Sequence, residues 1–418
     1  MTRPNGAVTM PDSDELIEMT VGPAVHGGHC LSRVDGRVVF VRHALPGERI
    51  RARVTDSRRR GHWRADAVEI LDGAPERVDS VWPEAGPGGV GGGELAHVSL
   101  DGQLSWKRDV LVDALQRIGG LDTQDPLMTG LRVRGVAEDR ERNGLGYRTR
   151  IELVVDDHGR AGMFQHRTHT IAPLRAMPLA AEVLGVPELL TRTWRPGARI
   201  DAVAPSESDR LVLIDGVPLR GGRRTARERV EVDGRSWRYR VAAEGFWQVH
   251  QQAPATLVGA VLEAAQLQPG ERVLDLYSGS GLLTVPLADA VGGEGTVDAV
   301  ESDERAVKDA RRNVHDRPQV RLHHGPVHRI MQSEQLADTD VVVLDPPRAG
   351  AGEAVVEQLL RTRPRRVVYV ACDPAALARD VAYAREHGYT LTALDPIDLF
   401  PHTHHVETVA VLTPGTGE

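Results

Sequence analysis

The N-terminal part of the chain alternates short apolar and polar runs from about residue 15 to residue 71. Turn signals made of Gly, Pro and Asp-Gly separate the runs ELIEMTV, GRVVFVRH, ERIRARVTD and RADAVEIL. Apolar residues at every second position, bounded by turn residues, indicate short strands with one buried face. We therefore predict a small OB-like antiparallel barrel of five strands over residues 13–72.

The middle of the chain mixes a loop, a helix and further short strands. Gly and Pro dominate the run VWPEAGPGGVGGG, so we predict a linker there, followed by a helix over LSWKRDVLVDALQRIGG that a glycine pair ends. From about residue 131 to residue 241, β-like runs such as YRTRIELVVDD, RVEVDG and WRYRVAAEG prevail. These runs predict a second, mostly β domain over residues 80–250.

Strand and helix patterns alternate from about residue 253 onward. A helical stretch follows each of the buried-strand runs RVLDLYS, TVDAVES, DVVVLDPP and RVVYVACD. This alternation predicts an α/β fold over residues 251–414, with a doubly wound, Rossmann-like parallel sheet and helices on both faces. Such sheets bind ligands at the carboxyl ends of their strands, so the residues at those ends are the candidates for chemistry.

Composition narrows the class of protein. The 418 residues are too many for one compact core, which favours two or three domains. No stretch of about 18 uncharged apolar residues is present, and the first residues lack an apolar secretory segment, so we expect a cytoplasmic protein without a membrane partner. The two cysteines, Cys30 and Cys372, build neither a disulfide framework nor a four-thiolate metal site within one chain.

The formal net charge of -8 argues against nucleic-acid binding through the overall charge of the protein. Local basic surface is nevertheless present, because eight arginines lie between residues 42 and 64 against only two acidic residues. The central domain adds Arg132, Arg134, Arg148 and Arg150. From these arginines we predict the RNA-binding residues Arg58, Arg59, Arg60 and Arg148. A solvated arginine-rich face without a partner is the alternative.

A glycine turn follows the first strand of the C-terminal sheet. In RVLDLYSGSG, Asp275 ends the strand and Gly279 and Gly281 follow it, and Glu301 closes the next strand about 20 residues on. A carboxylate at this spacing grips ribose hydroxyls, but Thr284 replaces the third glycine of the NAD fingerprint. The motif therefore favours S-adenosylmethionine, with Glu301 on the ribose and the glycine turn facing the methionine part. A structural turn and an NAD site remain the alternatives.

Two prolines follow Asp345 in the strand end VVVLDPPRAG. Proline fixes φ and stops a helix, so the carboxylate is presented rigidly at the lip of the sheet. Amino-group methyltransferases that act on adenine use a similar strand end but follow the prolines with an aromatic residue, whereas Arg348 stands here. Methylation of adenine N6 is therefore disfavoured.

Cys372 ends a later strand and precedes a helical pattern, a place where the helix N-terminus lowers a thiol pKa. A buried and inert thiol is the usual alternative for a lone cysteine. Uracil C5 is too weak a carbon nucleophile to take a methyl group directly, whereas addition of a thiolate to C6 turns the ring into an enolate with charge at C5. Cys372 is therefore the candidate nucleophile.

This chemistry also requires a base that removes the C5 proton before the thiolate leaves. Glu407, in DLFPHTHHVETVAVL, is the candidate, because it lies next to a final strand that should return to the same sheet edge. His402, His404 and His405 precede it, but no cysteine and no paired helical spacing accompanies them, so we predict no metal site.

In the ordered motifs LDLYSGSGLLT, AVES, LDPPRAG, ACDPAALARD and DLFPHTHHVE, the chain resembles the RNA uracil-C5-methyltransferases that act on tRNA and 23S ribosomal RNA. Its run GRVVFVRHALPGERIRARV is similar to the TRAM domain, an OB-like module of RNA-modifying enzymes. Its segment EGFWQVH matches a family run whose glutamine contacts S-adenosylmethionine. The resemblance implies that Cys372 is the nucleophile and Glu407 the base. The cofactor or substrate contacts that it implies are Gln248, Tyr277, Glu301 and Asp345.

Several positions of this family differ in the chain. Where many members hold the cysteines of an iron-sulfur cluster, the chain has Val90-Gly91-Gly92-Gly93 before Leu95-Ala96-His97, and later Met177-Pro178-Leu179, so we expect no cluster. The residues that stand where the family has polar side chains near the cofactor are Leu282, Pro326 and His250. These replacements bear on cofactor affinity and leave the catalytic pair intact.

The motifs together predict methyl transfer from S-adenosylmethionine to C5 of a uridine in structured RNA, either ribosomal or transfer RNA. The target base has to be flipped out of its stack to reach Cys372. The alternatives are a catalytically weakened RNA-binding protein that keeps the fold, and a methyltransferase for another RNA base. We expect a monomer without an obligate protein partner.

Overall fold

The computed structural model describes residues 16–58, 61–219, 221–332, 336 and 338–415. The strands of these residues form three sheets, of six, six and eight strands, and one two-stranded hairpin. Within these ranges, no helix combines the length and the apolar character needed to cross a bilayer. The predicted fold class, an α/β protein with an N-terminal barrel and a β-rich middle, is confirmed.

The first six strands form the barrel sheet. They are β1 (Leu16–Thr20), β2 (Ala24–Val25), β3 (His29–Val34), β4 (Arg37–Arg42), β5 (Arg49–Asp56) and β6 (His62–Asp72). The sheet order is β1-β5-β6-β4-β3-β2, in which only β4 and β6 pair in parallel. Alternate residues, among them Val39, Val41, Ile50 and Ala52, are buried in one apolar core. The prediction of five strands missed β2, because two residues carry no alternation.

The helix predicted after the linker, α1 (Leu100–Arg117), lies between two domains. Trp106 and Val110 pack into the barrel core, whereas Leu111 and Leu115 pack into a core of the C-terminal sheet. Residues four apart lie on the same side of a helix, so α1 presents one side to each core. It therefore ties the barrel to the C-terminal domain.

Six antiparallel strands form the sheet of the central segment. In chain order the segment contains a 3-10 turn (Pro83–Ala85), α1, α2 (Pro126–Thr129), β7 (Arg134–Gly135), α3 (Ala137–Glu141), β8 (Arg150–Val155), β9 (Ala161–Phe164), β10 (Ile171–Pro173), a second 3-10 turn (Glu182–Leu184), α4 (Val186–Thr191), β11 (Arg199–Val203), β12 (Leu211–Ile214) and β13 (Val217–Pro218). The sheet order is β10-β9-β8-β11-β12-β13. Its core includes Leu153, Ile200 and Trp194.

Apolar contacts hold the linker at the positions where the resembling family carries cluster cysteines. Val90 and Met177 are buried in the core of the central sheet together with Trp82. A Cβ added at Gly93 would lie 2.7 Å from the Cβ of Ala85 and 3.0 Å from the ring of Trp82, so a larger residue does not fit without a shift. Close apolar packing therefore fixes this segment.

A hairpin follows the central sheet and consists of β14 (Thr225–Val232) and β15 (Arg235–Ala242). Alternation along β15 buries Trp237, Tyr239 and Val241, which pack into the second core of the C-terminal sheet. The sequence pattern grouped these runs with the central domain, whereas their packing groups them with the C-terminal domain. Alternation reveals that a strand buries one face but not which element covers that face.

The C-terminal domain alternates helices and strands. In chain order they are α5 (Ala253–Ala265), β16 (Arg272–Leu276), α6 (Thr284–Val291), β17 (Thr296–Glu301), α7 (Glu304–Asn313), β18 (Val320–His324), α8 (Val327–Ile330), β19 (Val341–Leu344), α9 (Glu353–Arg361), β20 (Arg366–Ala371), α10 (Pro374–Glu386), β21 (Tyr389–Asp398) and β22 (Glu407–Pro414). The sheet order is β18-β17-β16-β19-β20-β22-β21-β7. Strands β16 to β20 pair in parallel, β22 is antiparallel to both neighbours, and β7 joins the edge from the central segment.

Both faces of this sheet are covered. Leu274 and Leu276 of β16 lie in one apolar core, and Val273, the residue before Leu274, lies in the other. Alternate residues of a strand point to opposite faces, so the continuous apolar runs of the sequence reflect burial on both sides. The carboxyl ends of the parallel strands consequently form one edge at which ligands bind.

Candidate active site

Antiparallel pairing of β20 with β22 brings Cys372 and Glu407 together. Ala371 at the end of β20 lies opposite Thr408 of β22. Cys372 follows Ala371 and Glu407 precedes Thr408, so these two residues are the next to lie opposite each other. Directly opposite residues of an antiparallel strand pair have Cβ atoms about 5 Å apart. Cys372 is half-buried just before α10, and Glu407 is buried. The two predicted catalytic residues therefore lie side by side at the carboxyl end of β20.

The Cys372 thiol is held in its neutral form. Burial raises the pKa of this thiol to about 12. The carboxyls of Glu407 and Asp345 act in the same direction, whereas the guanidinium of Arg348 opposes them. Asp373 itself accepts the hydrogen bonds of the first N–H groups of α10, which leaves none of them for the thiol. The prediction that the start of α10 lowers this pKa is therefore wrong.

Glu407 and Asp345 place two carboxyls beside the thiol. Burial raises the pKa of Glu407 to about 8, and the charge of Asp345 adds to this shift while Arg348 reduces it. Burial also raises the pKa of Asp345 to about 7. Both carboxyls thus titrate near neutral pH, the range in which a side chain exchanges protons effectively during a reaction.

Two side chains of α1 hold the loop that leads to Glu407. The buried ammonium of Lys107 donates a hydrogen bond to Oδ1 of Asp398 (2.6 Å) and another to a backbone oxygen two residues further on (3.0 Å). One turn earlier on α1, the side-chain oxygen of Gln103 accepts from the backbone N–H of His402 (2.6 Å). Because β21 ends at Asp398 and β22 begins at Glu407, these contacts fix the connection that positions Glu407.

We expect the Lys107→Met variant to be less stable than the wild type by about 3–5 kcal/mol, because Asp398 would remain as a buried charge without its partner. Urea denaturation measures this free energy of unfolding. The Lys107→Met/Asp398→Asn variant removes both charges and should recover most of the loss. A loss below about 1 kcal/mol in the single variant would contradict the structural importance of this ion pair.

The three histidines that precede Glu407 have separate partners. These contacts are His402 Nε2 to the backbone oxygen of Asn143 (2.8 Å), His404 Nδ1 to Oε2 of Glu94 (3.5 Å), and His405 Nε2 to the guanidinium of Arg348 (3.1 Å). Within the described ranges, no group of three His, Cys, Asp or Glu side chains is arranged to hold a metal ion. The histidines instead anchor the loop, and His405 holds the exposed Arg348 beside Cys372 and Glu407.

The N-terminal barrel contacts the segment next to Cys372. His26, in the turn between β2 and β3, pairs with Asp373, the residue after Cys372 (Nε2 to Oδ2, 2.7 Å). The hydrogen bond to Asp373 raises the pKa of His26. A Cβ added at the neighbouring Gly28 would lie 3.2 Å from Nδ1 of His404. The barrel therefore adjoins the segment that carries Cys372.

The predicted cofactor residues lie at the carboxyl ends of β16 and β17. Gly279 and Gly281 have φ angles of 57° and 91°, in the left-handed region that glycine adopts without strain. The backbone N–H of Gly279 donates to Oε2 of Glu301 (3.0 Å). Tyr277 also has a positive φ, of 63°, and is half-buried. The turn between these strands thus exposes backbone groups and one carboxylate to the same space.

Asp275 supports this turn from inside the domain. It is buried and accepts a hydrogen bond from the hydroxyl of Thr284 (2.5 Å). Burial raises the pKa of Asp275 to about 7, although the hydrogen bond from Thr284 works against this shift. Thr284, which replaces the third glycine of the NAD fingerprint, therefore ties the first turn of α6 to the end of β16.

A cleft of about 510 Å³ opens beside Tyr277. Ser302, Pro326 and Gly352 are among the residues that line it. The cleft lies between the loops that follow β17, β18 and β19, where doubly wound sheets bind their ligands. Pro326 offers no backbone N–H to a ligand there, in contrast to the polar residue of the resembling family.

Gln248 and His250 follow the hairpin and differ in role. Gln248 is buried in the segment that leads to α5. The Nε2 atom of His250 lies 2.9 Å from Asp139, and its ring stacks on Tyr147 with centroids 5.0 Å apart. These contacts give His250 a role in packing the central segment. Its difference from the resembling family therefore affects that packing directly.

The predicted RNA-binding arginines have different surroundings. Arg58 is exposed and forms a bidentate pair with Asp56 (3.0 Å for both bonds). Arg148 is half-buried next to the central sheet. Arg59 and Arg60 lie outside the described residues. The prediction of an RNA contact at these four positions stays a prediction.

Three residues near the site escaped the sequence analysis. Phe246 is 76% exposed two residues before Gln248, and its aromatic character next to a polar segment was a usable signal. Lys107 and His26 carry no local signal. Their partners lie 291 and 347 residues away in the chain, a separation that no pattern along the sequence reveals.

Comparison with known proteins provides two matching family models and several relatives. The model described as tRNA (uracil-5-)-methyltransferase matches residues 219–414, and the TRAM domain model matches residues 16–67. A protein of Streptomyces avermitilis named an uncharacterized RNA methyltransferase is 40% identical over 430 residues, which cover 96% of this chain and 98% of the relative. A protein of Bifidobacterium longum with a similar name is 38% identical over 440 residues, which cover 98% and 100%.

One solved structure extends the similarity to the whole fold. It is the crystal structure of Pyrococcus abyssi tRNA (uracil-54, C5)-methyltransferase in complex with S-adenosyl-L-homocysteine. The TM-score is 0.67 at 22% sequence identity, and the match covers 94% of this chain and 99% of the other. At this identity the likeness concerns the fold alone.

Proposed function

The chain belongs to the tRNA (uracil-5-)-methyltransferase family, and on this basis we propose that it transfers the methyl group of S-adenosylmethionine to C5 of a uridine in structured RNA. The observation that carries the choice of uracil C5 is the placement of Cys372 beside Glu407 on adjoining strands. Methylation of an amine requires neither group, because the nitrogen supplies its own electron pair.

The carboxyl edge of the sheet fits S-adenosylmethionine. The Glu301 carboxylate ends β17 beside the glycine turn, where it can accept hydrogen bonds from two ribose hydroxyls. The residues that we assign to this site are Gln248, Tyr277, Gly279, Gly281, Glu301 and Asp345. When bound, S-adenosylmethionine supplies an electrophilic methyl group. The 510 Å³ cleft beside Tyr277 offers room for part of it.

Cys372 is the nucleophile of the proposed reaction. As a thiolate, its sulfur bonds to C6 of uracil, and the electron pair of the C5–C6 double bond moves to C5 and the neighbouring carbonyl. Because burial raises the pKa of the thiol to about 12, it ionises only with help. The guanidinium of Arg348 is the cation that favours the thiolate.

Glu407 is the base that completes the reaction. It takes the proton from the methylated C5, and the released electron pair restores the C5–C6 double bond and expels the Cys372 thiolate from C6. The raised pKa of Glu407, about 8, suits this step, because a carboxylate in an apolar site holds a proton more tightly than one in water.

The RNA has to present an unstacked uridine to this pair. Both groups lie at the carboxyl edge of the sheet, where Glu407 is buried and Cys372 half-buried, so a base that stays in a duplex does not reach them. Phe246 is 76% exposed close to Gln248, and it offers a ring against which an unstacked base can lie. The barrel that adjoins Asp373 supplies a further surface for the same RNA.

The reaction is tested by incubating the purified protein with labelled S-adenosylmethionine and undermodified total RNA, followed by nucleoside mass spectrometry. We expect new 5-methyluridine, and the size of the labelled RNA distinguishes transfer from ribosomal RNA. Label in another nucleoside would contradict the choice of uracil C5. Cofactor binding without any methylated nucleoside would favour a catalytically weakened RNA-binding protein.

A further inference from the structure

The hairpin of β14 and β15 has one apolar and one cationic face. Its inner face is buried against the C-terminal domain through Trp237 and its alternating neighbours. On the outer face, Arg227 lies directly opposite Arg240, and Arg229 lies directly opposite Arg238. All four of these arginines are exposed. Two strands thus carry two successive pairs of like charges on the same face.

Like charges directly opposite each other destabilise a β-ladder. Acidic neighbours compensate one of the two pairs: Glu207 lies 3.1 Å from Arg238 and 3.8 Å from Arg229, and Glu231 also contacts Arg229. Within the described ranges, the other pair forms no ion pair with an acidic side chain. The outer face therefore carries an excess of positive charge, because acidic side chains of the described residues do not neutralise Arg227 and Arg240.

Several arginines elsewhere in the chain pair with carboxylates. In the barrel, Arg42 pairs with Asp66 and Arg51 pairs with Glu69. In the central segment, Arg134 pairs with Asp395, and Arg150 pairs with Glu228. On the outer face of the hairpin, by contrast, four exposed arginines lie together in a protein whose net charge is -8.

We propose that the outer face of the β14–β15 hairpin docks the phosphate backbone of the substrate RNA. This inference rests on the proposed function, which makes RNA the substrate. Guanidinium groups bind phosphate oxygens in a bidentate manner. Successive outward residues of a strand are spaced by roughly 6.7 Å and opposite ones by about 5 Å, so four arginines present a two-by-two array to a row of phosphates.

The polarity of this face indicates contact with the backbone rather than with bases. The outward residues between the two arginine pairs and the turn are Glu231 and Ser236, which lie opposite each other. This face thus presents no aromatic ring on which a base could stack, and stacking is the usual way in which proteins read unpaired bases. Backbone contacts position an RNA without reading its sequence.

Hydrogen bonds connect the hairpin to the cofactor turn. The hydroxyl of Tyr239 donates to the backbone oxygen of Leu282 (3.0 Å). The side chain of Asn313 accepts from the backbone N–H of Arg240 (2.8 Å) and donates to the backbone oxygen of Ser280 (2.9 Å). RNA held on the outer face is therefore held at a fixed place relative to Gly279 and Gly281.

Salt-dependent RNA binding by the full-length protein tests this surface. The probes are two unmodified transcripts, one tRNA and one 23S ribosomal RNA fragment, in filter-binding assays. Arg227→Gln/Arg240→Gln should weaken binding roughly tenfold at about 0.1 M salt, and should make the plot of log affinity against log salt shallower by about one for each arginine. Arg227→Lys/Arg240→Lys keeps the charge and should retain the wild-type slope.

The matched control is Arg361→Gln/Arg363→Gln, which makes the same change of charge on exposed residues at the end of α9, away from the carboxyl edge. It should bind like the wild type. An unchanged affinity and slope in the Arg227→Gln/Arg240→Gln protein, or an equal loss in the control, would overturn the proposal.

The outcome is separable from that of the methylation assay. If no 5-methyluridine forms but the salt slopes differ as expected, the choice of uracil C5 fails and the docking surface stands. If 5-methyluridine forms while the hairpin variant binds RNA like the wild type, the docking surface alone fails.

Discussion

The Cys372→Ala protein should lose methyl transfer by at least about 10⁴-fold and still bind RNA. Without the bond from sulfur to C6, the ring does not acquire the negative charge at C5 that attacks the methyl group. RNA affinity should persist because the thiol is one half-buried group among the many contacts that an RNA makes. Formation of 5-methyluridine in a single turnover measures the loss, and filter binding measures the affinity.

Cys30 provides the matched control for this experiment. It is the other cysteine of the chain and lies buried in the barrel core, where its Sγ is 3.4 Å from the backbone oxygen of Ala44. The Cys30→Ala protein should methylate RNA at nearly the wild-type rate. Turnover by the Cys372→Ala protein within about tenfold of the wild type would exclude covalent catalysis.

The Glu407→Gln protein should accumulate RNA that is covalently attached to Cys372 and already methylated at C5. An amide does not accept the C5 proton, so the electron pair that would expel the thiolate is not released. The trapped species should migrate more slowly than free labelled RNA in a denaturing gel. Mass spectrometry of the nuclease-treated protein should place the adduct on the peptide that contains Cys372.

The Glu407→Gln/Cys372→Ala protein is the control for the trapped adduct, because it lacks the sulfur that forms the bond. It should yield no RNA-linked protein. Sustained turnover by the Glu407→Gln protein, without any adduct, would assign the base to another residue.

The pH dependence of the wild type reports on the same carboxyl. The carboxylate is the active form of Glu407, and burial raises its pKa from the ordinary range to about 8. Below that pH the active fraction falls about tenfold per pH unit, so resolution of the adduct should slow on acidification and speed up as the pH approaches 8. In the Glu407→Gln protein the rate of adduct resolution should not fall in this way on acidification, because its amide does not titrate.

The patterns of the sequence were sufficient for the fold class and for the place of the motifs. The carboxyl ends of parallel strands meet at one edge of a doubly wound sheet. Motifs that end different strands, such as Asp275, Glu301 and Asp345, could therefore be assigned to one edge from their order alone. The arrangement of Glu407 beside Cys372 likewise followed from the expectation that the last strand returns to that edge, which the pairing of β20 with β22 fulfils.

Patterns along the chain did not reveal which elements pack together. The alternation in β15 predicted a strand, but only the tertiary structure placed Trp237 and Tyr239 against the C-terminal domain. The helix α1 was predicted as a single helix, and only the structure shows that it divides its apolar residues between two cores. A periodic pattern records that a face is buried and contains no information about what covers it.

The electrostatics of the site were likewise decided by tertiary structure. The position of Cys372 before α10 led to the expectation of a lowered thiol pKa, whereas burial and the carboxyls of Glu407 and Asp345 raise it. Lys107 became part of the site only through Asp398, 291 residues away. The sequence by itself thus determined the elements and the residue types at their ends, because these depend on local periodicity. Burial, ion pairs and pKa values depend on distances between remote segments, so only the folded structure decided them.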